Sequence, residues 1–259
     1  KRARAVREEA LGPDHPDTGQ SVSNLAAIVS SLPIATGGFK KPGFTLSLPD
    51  GWIEIPQEVL TSMRDKVVRQ ATNANVPKYD YGFQLKTAQN WMEHPLVLVQ
   101  VSNTGRVPEH QLKSLPKMDL NEMLKKYAAD LNSLISNVTL GQMQYDETAH
   151  VVWLTYRSDV VGVGKVQGIS GLIPTEKGYL QFHCSSTESN FQTYLPTFRQ
   201  IVASVAVSPE LAYKHRWSDI SPILSGIDWS EVAAKSIGGA IIGGIFALFA
   251  VLKRRKKEG

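Results

Sequence analysis

The single cysteine, Cys184, directly follows His183 in the string LQFHCSS. A thiol beside a base is the first pairing here that could attack a carbonyl carbon. Tyr179–Ser185 reads as a strand, and neighbouring side chains of a strand point to opposite faces. Cys184 then joins Leu180 and Phe182 on one face, with His183 on the other, so the two form no dyad. A small core thiol is the expected role, with a base from elsewhere in the chain left open. The six histidines, His15, His94, His110, His150, His183 and His215, are scattered. None has another three or four residues away and no HExxH occurs, so a zinc hydrolase is not expected. One cysteine excludes an internal disulfide and a multi-thiolate metal site. The string GVGKVQG from Gly162 to Gly168 fits neither GxGxxG nor GxxxxGK[ST], and a strand follows it instead of a helix. Its glycines read as turn and close-packing residues. Tyr79, Tyr81 and Phe83 recur at strand spacing and read as a sheet core face, a ligand pocket being the alternative. No catalytic, cofactor-binding or metal-ligating residue is assigned, and no cofactor is expected.

The elements that must position these residues are legible in the hydrophobic pattern. Phe44, Leu46 and Leu48 alternate inward before a turn at Asp50-Gly51, a hairpin signal. Gln57 to about Ala71 is an amphipathic helix with Leu60, Met63, Val67 and Ala71 on one stripe. Strands are expected at Tyr79–Lys86 and Leu96–Ser102. A second helix runs from Asp119 to Ile135, with Glu122 placed to complete a capping box. Strands at Val138–Tyr145, His150–Val160, Lys165–Ile173 and Tyr179–Ser185 follow with short connections, which requires antiparallel neighbours. A closing helix, Asn190–Val205, presents Phe191, Leu195, Phe198, Val202 and Val205. Runs of strands with few helices between them define an α+β class, an antiparallel sheet with helices packed on it.

Two resemblances add to this reading. The string REEALGPDHPDTGQSVSNLAAI near the N-terminus resembles the tetratricopeptide repeat of the kinesin light chain type, whose repeats are joined by the same GPDHP loop. Residues 1–32 are then a helix pair, a fragment of an array that needs about three repeats to bury its faces. Further repeats before Lys1, with a partner-binding role, are what this resemblance implies. Residues 33–43, rich in glycine and proline, read as a linker. From Phe44 to Val207 the order of elements resembles the Mog1/PsbP-like domain, through PGFTLSLPDGWIEIP, the late strand meander and FQTYLPTFRQIVASV. That family serves as binding or assembly subunits, so the resemblance implies no single chemistry.

The C-terminus carries the address. Ile237 to Leu252 is free of charge over sixteen residues, about 24 Å of helix against a hydrocarbon core of about 30 Å. Starting at Val232 lengthens it, with Lys235 extending toward the headgroups and Trp229 at the interface. Residues 232–252 are therefore expected to span a bilayer as a single helix, after a juxtamembrane segment, 208–231. That segment contains Tyr213-Lys214-His215-Arg216-Trp217, which reads either as a contact with an anionic surface or as a solvated linker. Gly239, Gly243 and Ala247 recur at every fourth position, the spacing through which two helices pack closely. A homodimer follows if that face is used, whereas glycine is also simply common in membrane helices. The tail 253–259 supplies Lys253, Arg254, Arg255, Lys256 and Lys257. These bases favour a cytoplasmic tail with the body on the outer side, the alternative being a tail anchor with a cytosolic body.

Charge narrows the partners. The net +4 resides in that tail, leaving 23 bases and 23 acids elsewhere, so general nucleic-acid binding is not expected. The 42% apolar content is enough to build a core. Asn137-Val138-Thr139 is a glycosylation sequon, relevant only in a eukaryotic secretory setting. The reading that results is a membrane-anchored, non-enzymatic binding or assembly module, with the bilayer and a protein as partners. The competing reading is a membrane-bound enzyme, a hydrolase whose site is assembled from distant residues.

Overall fold

A computed structural model of the chain describes residues 37–70, 76–117 and 134–216. The expected repeat pair over 1–32, most of the helix from Asp119, and the segment 232–252 lie outside the described residues. Among the described residues no helix is long and apolar enough to cross a membrane.

Two antiparallel sheets organise the body. The smaller contains β1 (Gly37–Lys41), β2 (Phe44–Leu48) and β11 (Ala206–Val207) in the order β1-β2-β11. The larger runs β3-β4-β5-β10-β9-β8-β6, with β7 also paired to β8. Its strands are β3 (Trp52–Glu54), β4 (Tyr81–Leu85), β5 (Leu96–Ser102), β6 (Ile135–Leu140), β7 (Gln144–Asp146), β8 (Val151–Val160), β9 (Gly164–Thr175) and β10 (Gly178–Thr187). Three α-helices are described: α1 (Gln57–Gln70), α2 (Glu109–Ser114) and α3 (Glu188–Ala203). The class is α+β with antiparallel sheets, as the strand spacing predicts.

Each face of the large sheet carries a hydrophobic core. On one, α1 and α2 supply Leu60, Met63, Val67 and Leu112 to a cluster with Leu96, Leu98, Val152 and Leu154. On the other, α3 and the small sheet bring Phe191, Phe198, Phe44 and Leu46 against Val97, Val99, Ile169 and Phe182. Strand alternation sorts side chains between the two. Cys184 falls with Leu180 and Phe182 in the second cluster, as expected.

Several expectations are corrected. Part of the 33–43 linker is strand β1, which pairs along β2 from Gly37↔Leu48 to Lys41↔Phe44. Pro42-Gly43 closes that hairpin with Gly43 at φ 85°, the proline-then-glycine pattern of a type II turn. The hairpin signal at Asp50-Gly51 does not join paired strands. The chain leaves the small sheet there, and β3 pairs with β4. Ile135 opens β6 and does not end a helix. The single strand expected over Val138–Tyr145 is two, β6 and β7. Between them Gly141 meets Thr155, where a Cβ would lie 2.1 Å from Oγ1. The stripe Tyr79–Tyr81–Phe83 is also split. Tyr79 precedes β4 and packs with α1, whereas Phe83 lies in the opposite cluster.

Finally, residues 208–216 do not leave the body as a free juxtamembrane linker. They form a strap: Ser208 N–H donates to the Gly43 carbonyl at 2.9 Å, Glu176 N–H donates to the Leu211 carbonyl at 3.0 Å, and Ala212 bridges to Thr175.

Candidate functional site

The strap ends at one edge of the molecule, where β5 finishes, β8 begins and β9 turns into β10. Three connections converge on it there. The loop after β5 supplies Arg106 and leads into α2, whose first turn holds Glu109. The β7–β8 turn supplies Glu147 and His150, and the β9–β10 turn supplies Glu176.

Arg106 is the clamp. Its Nε donates to Glu176 Oε1 at 2.9 Å, one Nη donates to the Lys214 carbonyl, and its guanidinium lies 4.3 Å from the Tyr213 ring centre. Glu176 also accepts from Lys214 N–H at 3.0 Å and pairs with Arg216. Tyr213 hydroxyl donates to the Val107 carbonyl at 2.7 Å. Burial alone would raise the Glu176 pKa. The Lys214 amide, then Arg106 and Arg216, outweigh that and hold it below the usual carboxylate value.

Beside the clamp lies a cluster of imidazole, phenol, ammonium and carboxylate groups. His215 Nδ1 is 2.7 Å from Glu109 Oε2, and its ring centre is 5.1 Å from that of His150. His150 Nδ1 meets Tyr145 hydroxyl at 3.1 Å and its ring faces Tyr213 at 6.5 Å. Lys113 bridges Glu109 and Glu147, at 3.1 Å to each. Burial would raise Glu109, but bonds from His215 and Lys113 leave its pKa lowered. His150 adopts φ 50°, a left-handed conformation uncommon for a residue with a Cβ. Sequence alone describes these histidines as scattered. The fold brings His150 and His215 together with Glu109, 106 residues from His215 in the chain, and no short motif could signal that.

The cluster sits on open surface. The His215 side chain is 58% exposed, so it offers imidazole, phenol and carboxylate groups to a partner without enclosing a small molecule. Among the described residues no group of three His, Cys, Asp or Glu could hold a metal ion.

A second constellation looks more like chemistry. Ser170 Oγ lies 2.9 Å from His183 Nδ1, and His183 Nε2 lies 2.9 Å from Gln100 Oε1. Gln100 Nε2 donates to the Lys78 carbonyl at 3.2 Å, which makes Oε1 the acceptor and puts the imidazole proton on Nε2. A serine, a histidine and an orienting amide in a row is the outline of a nucleophile and its base. Here it is sealed. Ser170 is 2% exposed and its oxygen takes the Gln181 amide at 3.3 Å, so the hydroxyl has no face for a substrate carbonyl. Tyr79 packs edge-on against the imidazole at 5.8 Å. Burial lowers the His183 pKa to about 3 and raises that of Cys184, so neither the base nor the thiolate is poised for work near neutrality.

The residues singled out for membrane packing and topology, Trp229, Gly239, Gly243, Ala247, Lys253, Arg254, Arg255, Lys256 and Lys257, all lie outside the described residues. The glycines of GVGKVQG are placed as expected. Gly162 and Gly164 turn at φ 76° and 96°, and Gly168 packs against the Tyr156 ring.

No protein-family model matches the chain, and no curated protein matches it. Among solved structures it is similar to the solution structure of cyanobacterial PsbP (CyanoP) from Synechocystis sp. PCC 6803. That match has a TM-score of 0.42 and 14% identity, and it covers 69% of this chain and 96% of that one. It is also similar to the crystal structure of LpqN, involved in cell envelope biogenesis of Mycobacterium tuberculosis. There the TM-score is 0.31 with 12% identity, over 71% of this chain and 97% of that one. At these scores neither fixes a family or an activity.

Proposed function

We propose that the chain is a membrane-anchored, non-catalytic binding or assembly module. Its α+β body, of the Mog1/PsbP-like type, presents a protein-contact surface, and residues 232–252 hold it at the bilayer. The observation that carries the reading is the strap. Arg106, Glu176 and Tyr213 tie residues 208–216 to the body, so the polypeptide that continues toward the apolar run departs from one defined edge. That edge bears the His150–His215–Glu109 cluster, which becomes the membrane-proximal surface. The tetratricopeptide-like helices of residues 1–32 add a second contact surface, and the Gly239, Gly243 and Ala247 face pairs two copies. The basic tail is cytoplasmic and the body lies on the outer side, a tail anchor with a cytosolic body being the other topology.

Site-specific photo-crosslinking in intact membranes tests the binding role. Probes at Lys214 and at Glu188, on opposite ends of the body, are expected to give discrete protein adducts that differ between the two positions. Absence of any protein adduct from either position contradicts it. Topology is read by adding protease to intact cells. Loss of the body with an intact tail is expected, and full protection of the body reverses the orientation.

A further inference from the structure

The face of the large sheet under α3 is covered only in part. Along β8, Val151 and Trp153 are buried, Thr155 is half-buried and Arg157 is exposed. All four alternate onto the same face. Trp153 lies flat because Gly171 has no side chain. A Cβ there would come within 3.0 Å of both Trp153 Cζ3 and Val202 Cγ1. Arg199, from α3, stacks its guanidinium 5.1 Å from the Trp153 ring centre. Its Nε is buried and meets no hydrogen-bond acceptor among the described residues.

Among the described residues no acid lies within ion-pair distance of Arg199 or Arg157. Asp146, which faces Arg199 from β7, accepts N–H groups of Thr148 and Ala149 at 3.0 Å each. Asp159 accepts from Asn137 Nδ2 at 2.7 Å, and Glu188 faces Lys165 at 4.0 Å. Between the two arginines Gly141 keeps the strip low, since a Cβ would strike Thr155. Arg157 is exposed and Arg199 half-buried along this strip, with no carboxylate paired to either among the described residues. Arg157 lies four residues beyond Trp153 along the strand, roughly 13 Å.

We propose that this strip, from Arg199 on Trp153 to Arg157, binds an extended acidic segment of a partner protein. Arginine suits the role because its planar donors match a carboxylate and its face rests on an aromatic ring. An extended segment places residues i and i+4 on one side at the same roughly 13 Å spacing, so two acidic side chains four residues apart reach both arginines. The inference supplies the partner's chemistry for the binding role and rests on it. Membrane anchoring does not enter.

The test is fluorescence anisotropy of a labelled ten-residue peptide carrying two glutamates four residues apart, with the full chain in nonionic detergent. Saturable binding that weakens with salt is expected, together with no binding of the lysine counterpart. A peptide with adjacent glutamates is expected to bind less tightly. Arg199→Gln and Arg157→Gln should each weaken binding at least about tenfold, with far-ultraviolet circular dichroism confirming the fold. Arg157 is exposed, so its variant reads the strip even if Arg199→Gln unfolds. No saturable binding of the glutamate peptide, unchanged affinity in both variants, or displacement by inorganic phosphate or phosphatidylglycerol at lower concentration than by the peptide would overturn the proposal. Such a result leaves the membrane anchor to its own test.

Discussion

At Gly168 the backbone of β9 runs beneath the ring of Tyr156, and an added Cβ would lie 2.2 Å from Cζ. The ring is 1% exposed, so it must shift within the core to make room. Gly168→Ala is therefore expected to cost about 1–3 kcal/mol. Gly38, whose Cβ would meet nothing within 4 Å, is the control, and Gly38→Ala should be neutral or slightly stabilising. Urea unfolding of both variants checks the contrast. Equal losses would mean that the Tyr156 contact does not set the cost.

Two buried histidines give the molecule an acid limit. Burial lowers His183 to about 3 and His94 to about 4, against an unfolded value near 6.5. Above that value both states are neutral and nothing is lost. As pH falls from about 6.5 toward about 4, only the unfolded chain takes up the two protons. Stability then drops by about 1.4 kcal/mol per pH unit for each histidine. Below about 4 His94 also protonates in the fold, and His183 alone continues to about 3. His183→Gln should roughly halve the slope of unfolding free energy between pH 6 and pH 5, read from urea midpoints. An unchanged slope contradicts the assignment.

Among the elements, the strap is the one whose attachment depends on a few side chains. The side chains of Arg106 and Glu176 are 12% and 11% exposed, so removing Arg106 takes away a largely buried partner and leaves Glu176 to Lys214 N–H and Arg216. Arg106→Ala is expected to destabilise by about 1.5–3 kcal/mol and to speed tryptic cleavage after Lys214 and Arg216. Unchanged cleavage would show that the backbone bonds of Ser208 and Glu176 hold the strap without the clamp. No pattern announces this element, because the string from Ser208 to Arg216 has no strand or helix periodicity and its partners lie far away in the chain. The meander from β8 to β10 is legible for the opposite reason. Each strand there has a continuous apolar pattern and a short glycine-containing turn to its neighbour. The same locality explains the failure at Asp50-Gly51. A turn sequence reports that the chain bends, and not which strand the next residues pair with. Cys184 is readable from strand alternation alone. The convergence of His150, His215 and Glu109 is set by sheet order and has no sequence counterpart.

At the scale of the whole molecule, the two faces of the large sheet are occupied by α1 and α2 on one side and by α3 and the small sheet on the other. Among the described residues, the charged groups of the strap end and of the strip beside α3 lie outside both hydrophobic cores. The body is charge-balanced, the excess bases lying in residues 253–257, which fits a protein whose long-range electrostatics act at its tail. The proposed function makes the body cargo of the apolar run that follows it. Alkaline carbonate extraction of membranes from cells expressing the full chain, followed by ultracentrifugation without detergent, tests that claim most directly. The account predicts that the chain stays in the pellet and is released only by detergent. Recovery of the intact chain in the supernatant would contradict it.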